Sequence, residues 1–130
     1  MRSSSVSPHD LQDWGKRAGF DLAEDTLRPL AGYLDLLMQW NRVMNLVGTR
    51  TAEETFGTLV VDSLHLDRFL RGDVALADEP SCWDLGSGAG LPGLPLRMVW
   101  QEGDYWMVEA REKRALFLST VLAKYPLPGT

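Results

Sequence analysis

The residues best suited to chemistry form a glycine-rich segment that follows a short apolar run. The segment reads Asp84-Leu85-Gly86-Ser87-Gly88-Ala89-Gly90-Leu91-Pro92-Gly93. Glycines at alternate positions let the backbone pass close to a ligand, because no Cβ stands in the way. The helix expected after them offers free amides and the positive end of its dipole to a negative group. The segment therefore predicts a loop that binds a small molecule.

Two carboxylates flank this loop in the order of elements that the sequence suggests. Asp84 ends the strand before the loop and could hold a ligand ammonium. Glu109 ends the next strand, 19 residues after Gly90. An acid in that position can bind the paired hydroxyls of a ribose. The two acids together favour a nucleoside ligand that carries an amino group.

Two classes of cofactor compete for the glycine pattern. Residues 88–93 satisfy the dinucleotide pattern GxGxxG, but this register leaves Gly86 and Ser87 between the strand and the first glycine. The alternate register, Asp84-x-Gly86-x-Gly88-x-Gly90, begins where the strand stops and supplies an acid for an amino group. It favours S-adenosylmethionine, and a nicotinamide-dependent oxidoreductase remains the alternative.

Composition and charge argue against several other classes of function. The chain has 130 residues, of which 45% are hydrophobic and 24% charged, as is ordinary for a folded domain. Its 13 basic and 18 acidic side chains give a net charge of −5, unlike proteins that bind nucleic acid through bulk positive charge. Residues 1–79 hold 8 of the basic and 13 of the acidic side chains. Residues 80–130, with 5 of each, are neutral and less repulsive to a phosphate backbone.

The sequence gives little support for a disulfide bond, a metal site or a membrane-spanning segment. Cys82 is the single cysteine and cannot form an intramolecular disulfide, so we expect a reducing, cytoplasmic setting. His9, His65 and Cys82 lack the spacing of metal ligands, so no metal is expected. The amino terminus lacks the apolar core of a secretory signal, and no apolar run reaches the ~18 residues of a membrane span. We therefore expect a soluble chain without a membrane partner.

The first part of the chain predicts two helices. Ser7 before Pro8 is a typical helix start, because the hydroxyl caps the first amides and proline suits the first helical position. Gly19 is a typical residue just beyond a helix end. Asp21 and Glu24 have the spacing of a capping box that opens a second helix.

The second helix contains a proline, and a third helix follows. Pro29 removes an amide donor and crowds the preceding turn, so we expect it to start a fresh helix or to kink this one. Thr51 and Glu54 repeat the capping signal, and Gly72 marks the expected end of the third helix. Residues 8–72 are thus predicted to be helical.

A different pattern begins near Asp78. Strands and helices are expected to alternate there, with a strand over 82–85, a helix over 91–100, a strand over 105–109 and a helix over 111–124. This order implies a parallel sheet with right-handed crossovers. The predicted class is α/β, with an N-terminal helical module over residues 1–77 and a sheet-containing domain over residues 78–130.

The glycine loop and its continuation, residues 84–96, resemble the cofactor loop of a known family. This family comprises the guanine-N7 methyltransferases of small-subunit (16S) ribosomal RNA, also called glucose-inhibited division protein B. The continuation Leu91-Pro92-Gly93 is much more specific than the glycines alone. Other segments match the family in order and spacing, namely Trp40-Asn41-Arg42, Asn45-Leu46, Asp62-Ser63-Leu64, Glu109, Lys113-Arg114 and Phe117-Leu118. The resemblance spans about residues 25–125.

The resemblance implies a Rossmann-like class I methyltransferase fold, S-adenosylmethionine as cofactor, and small-subunit rRNA or the ribosomal subunit as partner. The expected reaction is methyl transfer to N7 of a guanine. Asp84 is expected at the cofactor ammonium and Glu109 at its ribose. Backbone and neighbouring cofactor contacts are expected from Gly86, Ser87, Gly88, Gly90, Leu91 and Ala110. Lys113 and Arg114 are candidates for RNA phosphate, and no catalytic residue is identified.

The chain departs from the family pattern in two respects. Thr58 and Leu59 stand where the family commonly has a basic residue and a histidine. Only the first two strands of the family's seven-stranded sheet are found, so we expect an incomplete fold. Because an incomplete sheet exposes an edge and an apolar face, the alternative hypothesis is a non-catalytic fragment that associates with itself.

Overall fold

Helices fill the first part of the chain, and a parallel sheet alternates with helices in the second. The computed structural model describes residues 5–130, and the first four residues of the amino-terminal segment lie outside the described residues. The elements are α1 (Pro8–Arg17), α2 (Glu24–Met44), α3 (Ala52–Thr55), α4 (Val61–Gly72), β1 (Ser81–Leu85), α5 (Gly93–Val99), β2 (Asp104–Val108) and α6 (Glu112–Lys124). A π-helical turn, Phe56–Val60, joins α3 to α4. The predicted α/β class is confirmed.

Helix α1 begins and ends where the sequence predicts. The Ser7 hydroxyl accepts a hydrogen bond from the Asp10 amide at 3.0 Å, and the Asp10 carboxylate accepts one from the Ser7 amide at 3.1 Å. This capping box lowers the pKa of the Asp10 carboxyl, chiefly through the bond from the Ser7 amide. At the other end Gly19 has a φ of +86°, and the Phe20 amide donates to the Gly15 carbonyl at 2.8 Å. The predicted glycine stop is confirmed.

Helix α2 starts later than its sequence pattern predicts. The predicted capping box of Asp21 and Glu24 is wrong. The helix starts at Glu24, and the residue at its N-cap is Ala23, which provides no side-chain cap. The residues before it are needed elsewhere, since both Phe20 and Leu22 are buried in the core. Alternate burial of that kind requires extended chain rather than a helical turn.

Pro29 lies inside α2, so the prediction that it starts a fresh helix is wrong. The helix continues for 21 residues and buries Leu27, Leu30 and Leu34 on one stripe. An interior proline costs about 3 kcal/mol, whereas each fully buried leucine stabilises by roughly 1.5–3 kcal/mol. Burial of the stripe therefore outweighs the penalty of the proline.

The third predicted helix is present and contains a π-helical turn. Its start is capped as predicted, because the Thr51 hydroxyl accepts a hydrogen bond from the Glu54 amide at 3.1 Å. Its end at Gly72 is also as predicted. The π-helical turn lies between these two points, directly before α4. Within residues 5–130, no helix combines the length and the apolar character needed to cross a membrane.

Strands β1 and β2 form a parallel two-stranded sheet, as predicted. The paired residues are Ser81 with Asp104, Cys82 with Tyr105, Trp83 with Trp106, Asp84 with Met107 and Leu85 with Val108. Because side chains alternate along a strand, Cys82 and Asp84 share one face with Tyr105 and Met107. This inner sheet face contacts Leu96 and Trp100.

The opposite face of the sheet is open. Four large apolar side chains lie on it with substantial exposure, namely Trp83 (64%), Leu85 (75%), Trp106 (52%) and Val108 (40%). We call these four residues the outer sheet face. The rings of Trp83 and Trp106 stack there with centroids 5.4 Å apart.

A buried arginine ties the carboxyl-terminal turn to α5. The Arg97 side chain is fully buried. Its guanidinium donates to the carbonyls of Trp100 (3.2 Å), Glu102 (2.8 Å), Gly103 (3.0 Å) and Pro128 (2.9 Å), and to the hydroxyl of Thr130 (3.0 Å). This one side chain therefore satisfies carbonyls both in the segment between α5 and β2 and in the carboxyl-terminal turn.

Candidate functional site

The glycine loop, residues 86–92, joins the carboxyl end of β1 to α5. Gly86, Gly88 and Gly90 have φ values of +75°, +57° and +82°. Residues with a Cβ rarely adopt this left-handed region, so the backbone path itself requires glycine. Helix α5 begins at Gly93, two residues later than predicted, and the peptide bond before Pro92 is cis.

The three loop glycines differ in what surrounds them. A Cβ placed on Gly86 would meet no atom within 4 Å, and one on Gly88 would meet its nearest neighbours only at 3.9 Å. A Cβ on Gly90 would instead collide with Leu94 and lie 3.1 Å from Leu118. The backbone at the first two glycines therefore borders open space, whereas Gly90 is needed for internal packing.

Glu109 holds the glycine loop from the end of β2. Its Oε1 accepts a hydrogen bond from the Gly88 amide at 2.8 Å, and its Oε2 accepts one from the Arg111 amide at 2.9 Å. These two bonds, led by that from Arg111, lower the pKa of the Glu109 carboxyl, and the charges of Arg114 and Arg111 lower it further. The carboxylate is thus ionised at neutral pH. Each oxygen has a further lone pair that can accept a ligand hydroxyl.

Asp84 lies against the other end of the loop. Its Oδ2 accepts a hydrogen bond from the Tyr105 hydroxyl at 3.1 Å, and a Cβ on Gly93 would lie 2.7 Å from the same oxygen. Burial and the neighbouring Asp84 charge raise the pKa of the Tyr105 phenol, so the phenol remains a donor. The Asp84 carbonyl also accepts a bond from the Ser87 hydroxyl at 3.0 Å. The Glu109 carboxylate therefore bonds to the loop itself, whereas the Asp84 carboxylate lies just beyond it, at the start of α5.

The β2 strand also holds the first residues of the loop through its main chain. The amides of Gly86 and Ser87 both donate to the Val108 carbonyl, at 2.8 and 3.2 Å. The Gly90 amide donates within the loop to the Ser87 carbonyl at 2.8 Å. The loop is consequently fixed to the strand that carries Glu109.

The remaining predicted site residues occupy mixed positions. Leu91 is half-buried and packs against the core, whereas Ala110 is exposed immediately after Glu109. Lys113 is exposed in the first turn of α6. The Arg114 guanidinium approaches the loop, because its Nη1 would lie 3.9 Å from a Cβ on Gly88. The structure brings together Asp84, the glycine loop, Glu109 and Arg114.

Sequence reasoning missed three side chains that contact this site. The first is Tyr105, which bonds to Asp84. The other two are hydroxyls from residues 8–72, which we call the helical segment, and both bond to the loop. The Tyr33 hydroxyl donates to the Ala89 carbonyl at 2.8 Å, and the Ser63 hydroxyl donates to the Pro92 carbonyl at 3.0 Å. Only Ser63 carried a signal in the sequence, as part of the Asp62-Ser63-Leu64 segment.

Two clefts lie near the end of α5 that is remote from the glycine loop. One is bordered by Phe20 and Met98, and the other by Pro29 and Tyr125. Neither of these two clefts is lined by a residue of the glycine loop. Across residues 5–130, His, Cys, Asp and Glu side chains form no group of three that could hold a metal ion.

Comparison with known proteins connects this geometry to one family. The family model described as GidB, rRNA small subunit methyltransferase G, matches residues 26–130. A ribosomal RNA small subunit methyltransferase G of Nitratidesulfovibrio vulgaris (strain DP4) is 60% identical over 125 residues, covering 96% of this chain and 57% of that relative. The protein of the same name from Lawsonia intracellularis is 51% identical, covering 98% of this chain and 59% of its own length. That from Oleidesulfovibrio alaskensis is 56% identical over 112 residues, covering 86% and 48%.

The chain spans a little over half the length of the first two of these relatives, at 57% and 59%. The matched region begins within the first turn of α2 and includes all later helices, the whole glycine loop and both acids that flank it. On the extent of this match, the chain belongs to the rRNA small subunit methyltransferase G family.

Proposed function

We propose that this chain carries the cofactor-binding part of an S-adenosylmethionine-dependent methyltransferase that acts on N7 of a guanine in small-subunit rRNA. The observation that carries the proposal is the placement of two acids around one glycine loop at the carboxyl end of a parallel sheet, with Glu109 bonded to Gly88 and Asp84 beside Gly93. In this proposal residues 78–130 are the first half of a Rossmann-like domain, and residues 1–77 are a helical module beside it.

The residues present suit the chemical groups of S-adenosylmethionine. Its ammonium needs an anion, which the Asp84 carboxylate offers beside Gly93, at the start of α5. Its ribose hydroxyls need acceptors, which the ionised Glu109 offers beside Gly88. Small-molecule sites commonly combine such few, fixed polar groups with backbone that can be approached closely.

The residues of this chain would act by binding and alignment. S-adenosylmethionine supplies, when bound, an activated methyl group that a lone pair such as that of guanine N7 can accept directly. Asp84 is held in place by Tyr105, and Glu109 by two backbone amides, so both acids are set before a ligand arrives. Fixed groups of this kind lower a barrier mainly through orientation, because little reorganisation remains to be done.

The rRNA substrate is inferred from the names of the relatives and from the resemblance of the motifs. Lys113 is exposed on α6, where a phosphate could reach it, whereas Arg114 lies beside Gly88. We therefore assign Lys113 to RNA phosphate and place Arg114 nearer the cofactor than the sequence suggested. A ribosomal substrate agrees with a cytoplasmic location.

A nicotinamide dinucleotide is disfavoured by the start of α5. Dinucleotide sites place a pyrophosphate at the amino end of the helix that follows the glycines. Here the Asp84 carboxylate lies against Gly93, the first residue of that helix. Its negative charge would repel a pyrophosphate and attract an ammonium.

A second candidate, self-association, is favoured by the outer sheet face. Its four exposed apolar residues are contiguous on the two paired strands. A contiguous exposed apolar patch marks an interaction site or an aggregation liability. A second copy of the chain is the occupant we propose for the isolated 130-residue protein.

Isothermal titration with S-adenosylhomocysteine tests the cofactor assignment. We expect binding by the chain and a loss of at least 10-fold in affinity for the Asp84→Ala, Glu109→Ala double variant. NADH is expected not to bind. The matched control is Glu112→Ala, which removes a carboxylate from the first turn of α6 and leaves both acids of the site.

Undiminished affinity in the double variant would contradict the assignment of the two acids. Binding of NADH without binding of S-adenosylhomocysteine would instead favour the nicotinamide alternative. Methyl incorporation into N7 of guanine, measured with purified small ribosomal subunits and a family member of full length, tests the substrate.

A further inference from the structure

Two hydroxyls from the helical segment donate to carbonyls of the glycine loop. The side chains of Tyr33 on α2 and Ser63 on α4 have no solvent exposure. Tyr33 donates to the Ala89 carbonyl and Ser63 to the Pro92 carbonyl, across separations of 56 and 29 residues. Neither hydroxyl belongs to the predicted cofactor site, yet both donate a hydrogen bond to a main-chain carbonyl of its glycine loop.

The Ser63 contact is unlike those of four other hydroxyls on helices. A serine or threonine in a helix commonly donates to the carbonyl four residues before it. Thr55, Thr58, Ser119 and Thr120 all do so, at 2.7–3.0 Å. Ser63 has the same local option but donates to Pro92 instead. The Ser63 hydroxyl therefore stabilises the loop rather than its own helix.

The two bonds complete the fixation of the loop. The strand side holds amide groups, because Gly86 and Ser87 donate to Val108 and Gly88 donates to Glu109. The helix side holds carbonyl groups. A peptide unit is planar, so fixing the Ala89 carbonyl also directs the amide that follows it. Burial raises the pKa of the Tyr33 phenol, which keeps its proton available for donation at any ordinary pH.

We propose that Tyr33 and Ser63 are positioning residues for cofactor binding, which makes the helical segment part of the cofactor site. The inference rests on the proposed function, because it assumes that the glycine loop holds S-adenosylmethionine. The two hydroxyls touch neither the cofactor nor the reacting atoms. They set the direction of the loop backbone between Asp84 and Glu109.

The test compares affinity and stability in variants of the full chain. Tyr33→Phe and Ser63→Ala each delete one hydroxyl with little change in shape. We expect each to weaken S-adenosylhomocysteine binding about 5-fold by isothermal titration. The reason is that each deletion removes one hydrogen bond that holds the loop in its binding conformation, and a single such bond is worth about 5-fold in that equilibrium. Ser63→Thr, which keeps the hydroxyl, is expected to retain more affinity than Ser63→Ala.

Thr55→Val is the matched control. It deletes a fully buried hydroxyl whose bonds go to Thr51 and Thr49, outside the loop. We expect it to lower the thermal midpoint without changing affinity. A merely structural role for Tyr33 and Ser63 predicts the same result for their variants, and that result would overturn the proposal. Absence of binding by the unsubstituted chain would contradict the proposed function, and the cofactor role of these hydroxyls with it.

Discussion

The helical segment, residues 8–72, and the sheet segment, residues 78–130, bury their apolar residues to different degrees. Helices α1 to α4 turn one stripe inward, where Leu11, Leu30 and Leu34 have no exposure. In the sheet segment, Leu94 and Phe117 on α5 and α6 are equally buried. The outer sheet face, however, remains open on both strands.

The difference follows from the geometry of the two element types. A helix satisfies its own backbone and needs only one covered stripe. A parallel sheet has two faces and two edges, and such sheets are normally covered on both faces. Here only the inner face is packed, and at one edge the Tyr105 amide donates to Gly129 at 2.7 Å. The helical segment thus forms a covered layer, whereas the sheet segment presents an interaction surface.

The largest effect is expected at the arginine that completes the sheet segment. Arg97→Met removes the donors of four main-chain carbonyls and should lower the free energy of unfolding by about 4 kcal/mol. Urea denaturation followed by tryptophan fluorescence measures it. Arg71→Met is the control, because Arg71 also donates to a carbonyl at the end of α5, that of Val99, but is half exposed. We expect a loss below about 1 kcal/mol there, and equal losses would contradict the role of burial.

A pair of identical substitutions compares the two segments directly. Leu34→Ala in the helical core should cost about 3 kcal/mol, because it leaves a cavity among fully buried neighbours. Leu85→Ala on the outer sheet face should change stability by less than about 0.5 kcal/mol, because its side chain is already exposed. Urea midpoints of the two variants give the comparison. Similar losses would mean that the outer face is covered in solution.

Covering of that face by a second copy can be measured separately. Trp83→Ser with Trp106→Ser removes the stacked pair, and we expect the association constant to fall about 10-fold or more, given the area that aromatic residues bury. Sedimentation equilibrium at several concentrations measures it. Phe69→Ser is the control, since Phe69 is similarly exposed but lies on α4. A monomeric unsubstituted chain would rule out self-association.

The smallest expected effect concerns pH and the bond between Glu109 and the loop. The pKa of Glu109 is lower in the folded chain than its ordinary value of 4.5. Its contribution to stability is therefore fully present above about pH 4.5 and is lost as the pH falls through the lower folded value. The difference in urea midpoint between the unsubstituted chain and Glu109→Gln should shrink below that pH. For Glu112→Gln we expect no comparable change in this difference. The same pH dependence for Glu112→Gln would mean that the effect does not come from the bond between Glu109 and the loop.

Sequence patterns predicted most features that depend on residues close together in the chain. The caps at Ser7 and Thr51, the stop at Gly19 and both strands are confirmed within a residue or so. Each relies on a hydrogen bond or a backbone angle set by neighbours. The glycine loop was found for the same reason, because its three left-handed residues are all glycine.

Predictions went wrong where packing between elements overrides local preference. The pattern at Asp21 suggested a cap, but burial of Phe20 and Leu22 holds that segment extended. Pro29 suggested a fresh helix or a kink, and the fresh helix is wrong, because burial of the apolar stripe of α2 continues the helix past the proline. Neither outcome can be inferred from local spacing, because the partners that pull the chain inward are distant in sequence.

The sequence by itself determined the order of elements, the glycine loop and the two acids that flank it. These features depend on short-range bonds and on residue type, which any stretch of chain carries with it. The tertiary structure alone decided which hydroxyls hold the loop, that Arg97 is buried, and which four side chains form the outer sheet face. These depend on contacts between residues tens of positions apart, such as Tyr33 with Ala89, whose geometry exists only once the helices have packed.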